Sequence, residues 1–273
     1  MVQGYNSKLI FGTGLSSCKD FEGLCKVCKT ALSEHIVMFD TAPSYRTEAV
    51  LSKAIAKSAN ELGLNRADYW IQTKIDPIQM FNGNIEAYFK EKLSEMQLEY
   101  VDSLLIHWPI LNYVERTWIS MKRLQEDGYT KNIGICNLRL LQLKEFKQMG
   151  IEPETLQIER HPLNTFNDEV KYCQEHNINL QDYSPLCKMH PLISDNEKIK
   201  EIADKHECNI GQLILKWHIS TGATPVFTST KPSRIMEYAH LENISLSEDE
   251  ISQIASLNCN HKLYLESLVC PGF

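Results

Sequence analysis

Strand-like and helix-like segments alternate without a break along this chain, and that order narrows its fold more than any other feature. KLIFGTGL reads as a strand and DFEGLCKVCKTALSE as a helix; HIVMFD and EAVLSKAIAKSANELG repeat the pair, the helix closed by Gly63. ADYWIQTK, VDSLLIHW, YTKNIGICN, ETLQIER, INLQDYS and ATPVFTS are six further strands. Each is followed by a helical period, from NIEAYFKEKLSEMQ through the long EKIKEIADKHECNIGQLILKWHIS, which gives one or two helices, to SRIMEYAHL. A last helix, SEDEISQIASLN, opens on a Ser-x-x-Glu capping box at Ser247 and Glu250. The strands are rich in Val, Ile and Leu without clean alternation, as expected of parallel strands covered by helices. Eight βα units predict a (β/α)₈ barrel, a single domain over residues 1–273, close to the roughly 250 residues such barrels need. The first turn, FGTGLSS, lacks the GxGxxG of an open dinucleotide-binding sheet.

Charge and cysteines exclude several classes. The net charge of −7, without a long like-charge block, gives no basic field for nucleic acid or an anionic membrane surface. No run approaches the ~18 apolar residues of a membrane span. MVQGYNSK has no apolar segment of the signal-peptide kind, so the nine cysteines read as reduced thiols of a cytoplasmic protein. Cys25 and Cys28 have CxxC spacing, but no second ligand pair follows and they sit in a helical period, so helix packing is expected and no metal site.

In such a barrel the chemistry sits at the C-terminal strand ends. The second strand ends at Asp40 and its loop carries Tyr45; the third ends at Lys74, the fourth at His107. Singly, each has a plain structural explanation: a helix cap, a packed ring, a solvated amine, a hydrogen-bonded core imidazole. Together, on consecutive strands, they converge on one point. A tyrosine, with a pKa near 10, is a poor proton donor at neutral pH. A neighbouring ammonium is expected to lower that value, and a carboxylate beside the lysine to hold it charged. An imidazole there would orient a substrate oxygen. The group delivers a proton to an oxygen gaining charge; the electron pair must come from a bound cofactor.

Asp40-Thr-Ala-x-x-Tyr45, Lys74 and His107-Trp-Pro resemble the catalytic tetrad motifs of the aldo-keto reductases, and the resemblance continues through LIFGTGL, GICN, LQIERHP, DYSPL and PxRIxE. It implies reversible NAD(P)H-dependent reduction of a carbonyl compound, with Tyr45 as general acid, Lys74 and Asp40 tuning it, and His107 orienting the carbonyl. By the same resemblance, Cys136, Asn137 and Gln157 match the residues that hold the nicotinamide carboxamide, with a thiol where the family has a hydroxyl. Tyr183 matches the ring on which the nicotinamide stacks, Ser184 and Leu186 the pyrophosphate lining, and Gly12 and Thr13 the turn near the middle of the cofactor. After the eighth strand the family's lysine is Thr228 and its final asparagine is Tyr238, while Ser229, Arg234 and Glu237 stay in place and Lys231 is a displaced cation. A 2′-phosphate wants such cations, so NADP(H) is expected in preference to NAD(H).

Two other readings compete. Asp40 and Glu48 could be a glycosidase pair, but Glu48 sits where it would serve a helix N-terminus, and Lys74 and Tyr45 would be idle. Some relatives of this fold act chiefly as nucleotide-binding regulatory subunits. For the substrate, Trp108 is expected to form one wall, and the short loop from Pro109 to Val114 leaves the pocket open on that side, while Trp217 stays in the helical core. The tail HKLYLESLVCPGF is expected to pack on the barrel rather than cover its mouth, the hairpin that plugs the barrel bottom in the family is reduced or absent in MVQGYNSKLIF, and a monomer or weak oligomer is expected.

Overall fold

A computed structural model describes residues 8–14 and 19–264 of the chain. Its strands are β1 (Ile10–Gly12), β2 (Met38–Asp40), β3 (Trp70–Ile75), β4 (Val101–Ile106), β5 (Thr130–Cys136), β6 (Thr155–Glu159), β7 (Asn179–Tyr183) and β8 (Thr224–Phe227). Each pairs in parallel with the next, and β8 closes onto β1. This is the (β/α)₈ barrel the alternation predicts. The close approach of β5 to β6 depends on Gly134, where a Cβ would lie 2.3 Å from the Thr155 carbonyl oxygen.

The strand register decides what the barrel interior holds. Gly12 stands beside Asp40, Asp40 beside Gln72, Cys136 beside Gln157, and Gln157 beside Gln181. The Gln72 amide donates to Asp40 Oδ1 at 2.7 Å and to Gln181 Oε1 at 2.8 Å. Gln157 donates to the same two oxygens at 3.1 and 2.9 Å, and Gln181 returns a bond to Gln72 Oε1 at 3.0 Å. Three buried glutamines thus satisfy one another and one carboxylate oxygen, which is what makes their burial tolerable.

The apolar core between strands and helices is aliphatic and aromatic, with Phe11 edge-on to Phe39 and Phe227. Trp217 is fully buried in the helical layer, its indole N–H on the Ile251 carbonyl at 3.2 Å. Cys25 and Cys28 are buried on the helix Phe21–Ser33, and all seven described cysteines are free thiols. No helix among the described residues is long and apolar enough to cross a membrane.

The differences from the sequence reading are local. β1 and β2 are three residues each, shorter than read from the sequence. The long helical period, read as one or two helices, forms two, Glu197–Lys205 and Ile210–Ser220, divided where Glu207 is left-handed and Asn209 caps the second helix through Gln212. Short helices at Pro77–Asn82 and Pro191–Ser194, both led by proline, were not anticipated. The reading of the N-terminal hairpin falls on Met1–Ser7, outside the described residues.

The last helix, Glu248–Ala255, carries the anticipated capping box: the Ser247 N–H donates to Glu250 Oε2 at 2.8 Å and the Glu250 N–H to Ser247 Oγ at 3.3 Å. Burial alone would raise the Glu250 pKa, but hydrogen bonds from Lys205, Ser247 and His206 bring it down to about 2. A carboxylate held below its unfolded value near 4.5 stabilises the fold fully above that pH and progressively less as pH falls toward 2. Glu250→Gln is therefore expected to lower Tm by several degrees at pH 7, from charge-assisted bonds worth about 1.5–3 kcal/mol. In thermal scans between pH 7 and pH 3 the gap to wild type should narrow only below about 4.5; a constant gap would assign the loss to packing.

Candidate active site

At the end of β2 the chain runs from Asp40 through extended Ala42 into a 3₁₀ turn, Pro43–Tyr45, and Arg46, with φ 58°, turns it into the helix Glu48–Glu61. Buried hydroxyls tie this corner down: Thr13 Oγ1 donates to the Asp40 carbonyl at 3.0 Å, and Thr47 Oγ1 lies 3.1 Å from Thr13 Oγ1 and 2.9 Å from Thr41 Oγ1. The turn presents Tyr45 above the barrel, while β3 brings Lys74 up from within, 1 % exposed.

Lys74 Nζ donates to both oxygens of Asp40 at 2.8 Å and to the Thr41 carbonyl at 2.9 Å, and lies 4.9 Å from the centre of the Tyr45 ring. Burial alone would push Lys74 down, but Asp40 lifts it above the ordinary lysine value and favours the ammonium. Tyr45 departs from expectation. Burial of its phenol outweighs the pull of Lys74, and its pKa rises above the ordinary tyrosine range instead of falling. The phenol is therefore fully protonated at neutral pH and carries a proton to give.

Tyr45 Oη lies 3.4 Å from His107 Nε2, the two rings meeting edge to face at 5.6 Å. The other ring nitrogen of His107, Nδ1, is in direct hydrogen-bond contact with Asp76 Oδ1. The second oxygen of Asp76 accepts the Ser44 N–H at 2.7 Å, next to Tyr45 in the chain. Burial alone would raise Asp76, but the bonds from His107 and Ser44 take it below the usual carboxylate value. His107 is lowered, by burial first and by the Lys74 ammonium in addition, against the pull of Asp76. Asp76 was not singled out in the sequence, where Asp-Pro before a helix signals an N-cap. It is one here, in a reciprocal box with Gln79.

Asp40, Tyr45 and His107 line one end of a cavity of about 1210 Å³, with Trp108 as a wall beside His107. The loop after β4 is as short as anticipated: the next helix begins at Leu111, three residues before the expected Val114. Asn137, left-handed at φ 61°, donates from Nδ2 to the His107 carbonyl at 2.9 Å and accepts the Tyr183 hydroxyl on Oδ1 at 2.9 Å. Cys136 is buried, its thiol 3.9 Å from Gln157 Oε1, and burial raises its pKa despite the nearby Lys74. Gln157, Tyr183, Ser184 and Leu186 continue the lining.

Gly12 forms part of the floor, where a Cβ would meet Val226 Cγ1 at 3.0 Å and Thr228 Oγ1 at 3.3 Å. Thr228, Arg234 and Glu237 close the far end, Glu237 held by Asn209 Nδ2 at 3.4 Å. Thr13, Lys74, Cys136, Ser229 and Lys231 do not reach the cavity surface. Ser229 Oγ instead takes the Lys231 N–H at 3.1 Å, shaping the turn into the helix Pro232–Ala239. Glu48 lies behind β3 on Thr73 Oγ1 at 2.6 Å, away from the cavity, so it cannot pair with Asp40 across a sugar.

The tail corrects an expectation in part. Leu263 packs on the apolar layer around Trp217, but Tyr264 lines the cavity, edge-on to Tyr183 at 5.8 Å. The cause is Glu159, a buried carboxylate that accepts the N–H groups of Leu263 and Tyr264 at 2.6 and 3.0 Å. Leu265–Phe273 lie outside the described residues.

Comparison with known proteins identifies the family. Residues 8–259 match the aldo/keto reductase family. The chain is 30% identical over 254 residues to the glyoxal reductase of Bacillus subtilis (strain 168), covering 93% of this chain and 90% of that protein. It is 30% identical over 255 residues to the methylglyoxal reductase DkgA of Escherichia coli O157:H7, covering 92% and 90%. Among solved structures, the aldose reductase of Schistosoma japonicum superposes with a TM-score of 0.86 at 26% identity, covering 96% of this chain and 91% of that one. With an eight-stranded barrel, an acid, a phenol, an amine and an imidazole at its strand ends, and a match over nearly its whole length, the chain belongs to the aldo/keto reductase family, the NAD(P)H-dependent oxidoreductases that reduce carbonyl groups.

Proposed function

We propose that this protein, working as one cytoplasmic domain, reversibly reduces the carbonyl of a small aldehyde, ketone or sugar to the alcohol, with NADPH preferred to NADH and Tyr45 as general acid. The observation that carries this reading is the Tyr45 hydroxyl at the cavity surface, 3.4 Å from His107 and above the buried Lys74–Asp40 pair. The relatives named for glyoxal and methylglyoxal reduction favour short dicarbonyls among the candidates.

The residues present fit a dinucleotide. A cavity of about 1210 Å³ exceeds the ~300–1,000 Å³ of ordinary small-molecule pockets and spans from Tyr45 to Arg234. Arg234 has no carboxylate within ion-pair distance among the described residues, which leaves its guanidinium for a phosphate. Asn137 and Gln157, with Cys136 behind them, would hold the carboxamide, Tyr183 the nicotinamide face, and Ser184, Leu186 and Gly12 the bridging phosphates. Thr228, Glu237 and Arg234 would meet the adenosine end, Ser229 and Lys231 shaping the turn that presents Arg234. Bound there, reduced nicotinamide supplies the hydride. Tyr45 gives its proton to the carbonyl oxygen as charge develops on it, and the Lys74 ammonium, fixed by Asp40, stabilises the phenolate left behind. His107 and Trp108 bound the space in which the carbonyl sits.

Turnover of methylglyoxal and a panel of aldehydes with each cofactor tests this directly. Arg234→Ala is expected to weaken NADPH binding about tenfold or more, the loss of a charge-assisted phosphate contact, and to leave NADH binding unchanged. Fluorescence titration reads both. Equal losses for the two cofactors would remove the 2′-phosphate from Arg234, and saturable cofactor binding without turnover of any carbonyl would favour a nucleotide-binding regulatory subunit.

A further inference from the structure

Asp76 is bonded to His107 and to the backbone next to Tyr45, and nothing in the proposed chemistry yet uses it. One carboxylate oxygen holds His107 Nδ1; the other holds the Ser44 N–H beside Tyr45. An ionised carboxylate only accepts hydrogen bonds, so the proton of that contact resides on Nδ1. A neutral imidazole with its proton on Nδ1 has a bare lone pair on Nε2. That lone pair faces the Tyr45 hydroxyl at 3.4 Å. A substrate carbonyl oxygen cannot accept a hydrogen bond from a lone pair, so a neutral His107 in this tautomer cannot polarise the carbonyl.

We propose that Asp76 is a positioning residue that fixes His107 in its Nδ1–H tautomer, so that Asp76, His107 and Tyr45 form a proton relay rather than a carbonyl-polarising histidine beside an independent acid. The relay rests on the reading of Tyr45 as proton donor. In reduction, the Tyr45 O–H bond breaks as its proton goes to the carbonyl oxygen, and the hydride of the reduced nicotinamide forms the new C–H bond. The phenolate is then reprotonated from solvent through Nε2, the transient imidazolium being stabilised by the Asp76 carboxylate. In alcohol oxidation the same proton runs outward, from the alcohol to the phenolate and from Tyr45 to Nε2.

The charged and titratable groups facing His107 are Asp76 and Lys74 from β3 and its end, Asp40 from β2 and Tyr45 from the turn after it. Burial and Lys74 keep the ring neutral at rest, as an acceptor must be. Asp76 opposes them and makes the protonated form reachable during turnover.

Two measurements test the relay. In the wild-type protein saturated with NADP⁺, ¹⁵N spectra of labelled histidine should show His107 neutral and protonated on Nδ1; an Nε2–H tautomer overturns the proposal, and this readout needs no variant to fold. In Asp76→Asn, kcat for alcohol oxidation should fall about ten- to a hundredfold, the range of a lost proton-transfer contribution, with KM for the carbonyl nearly unchanged. The inflection of its pH profile should move to lower pH, because the imidazolium loses its partner. A folded Asp76→Asn protein with the wild-type pH profile and oxidation rate overturns the relay. The underlying reading fails separately: if Tyr45→Phe keeps wild-type rates, Tyr45 is not the donor, whereas an inactive Tyr45→Phe with an Nε2–H histidine removes the relay alone.

Discussion

Tyr45→Phe should lower kcat for carbonyl reduction by about 10²–10⁴-fold, the usual worth of a positioned general acid, and leave cofactor affinity unchanged. The phenol lies at the cavity surface, its hydroxyl 3.4 Å from His107 Nε2 and close to the Lys74 ammonium. Its removal takes away a transferable proton without opening the barrel, and it costs His107 Nε2 only a long 3.4 Å contact at the cavity edge. The ring stays above the Lys74 ammonium, and the protein should melt within a degree or two of wild type. Single-turnover mixing with saturating NADPH separates this loss from substrate binding. A drop confined to KM would mean that Tyr45 binds the carbonyl without protonating it.

The largest stability effect should come from the pair beneath. Lys74 and Asp40 are 1 % and 3 % exposed, and the ammonium has no route to water. Breaking such a pair from one side strands a charge and costs about 3–5 kcal/mol. Asp40→Asn keeps the shape but leaves Lys74 against an amide, so denaturant unfolding should show a loss of that size together with loss of activity. Combining it with Lys74→Met removes both charges, and buried pairs replaced by neutral groups of similar volume are often as stable as the original. The double variant should therefore recover most of the stability and none of the activity. Additive losses in the two single variants would mean that the charges do not interact, contrary to their 2.8 Å contact.

What the sequence disclosed follows from which interactions are local. The barrel was legible because burial on both faces of parallel strands, with helices outside, imprints two periods in alternation. The convergence of Asp40, Tyr45, Lys74 and His107 was legible because strand ends in a barrel share one rim. Asp76 was hidden because its Asp-Pro context already has a sufficient local meaning as a cap, and the bond to His107 spans 31 residues. Gln72 and Gln181 were hidden because an amide inside a strand looks like a solvent-facing one until the register places it opposite another. Tyr264 could not be placed at all, since a carboxylate 105 residues earlier recruits it. The effect of Lys74 on Tyr45 had the right direction and the wrong outcome: attraction between charges was visible in sequence, and the depth of burial opposing it was not.

The interlocked glutamines of the barrel bear on how this enzyme can be redesigned. Asp40 is oriented by Gln72, Gln157 and Lys74, all on strands, while the cavity walls Trp108 and Tyr264 contribute nothing to that arrangement. Grafts that exchange the segment after β4 or the tail for those of another enzyme should therefore alter which carbonyl is accepted without retuning the acid that protonates it. A chimera joined through β3, β6 or β7 would have to import all three glutamines together, because Gln72 and Gln157 are each held between Asp40 and Gln181.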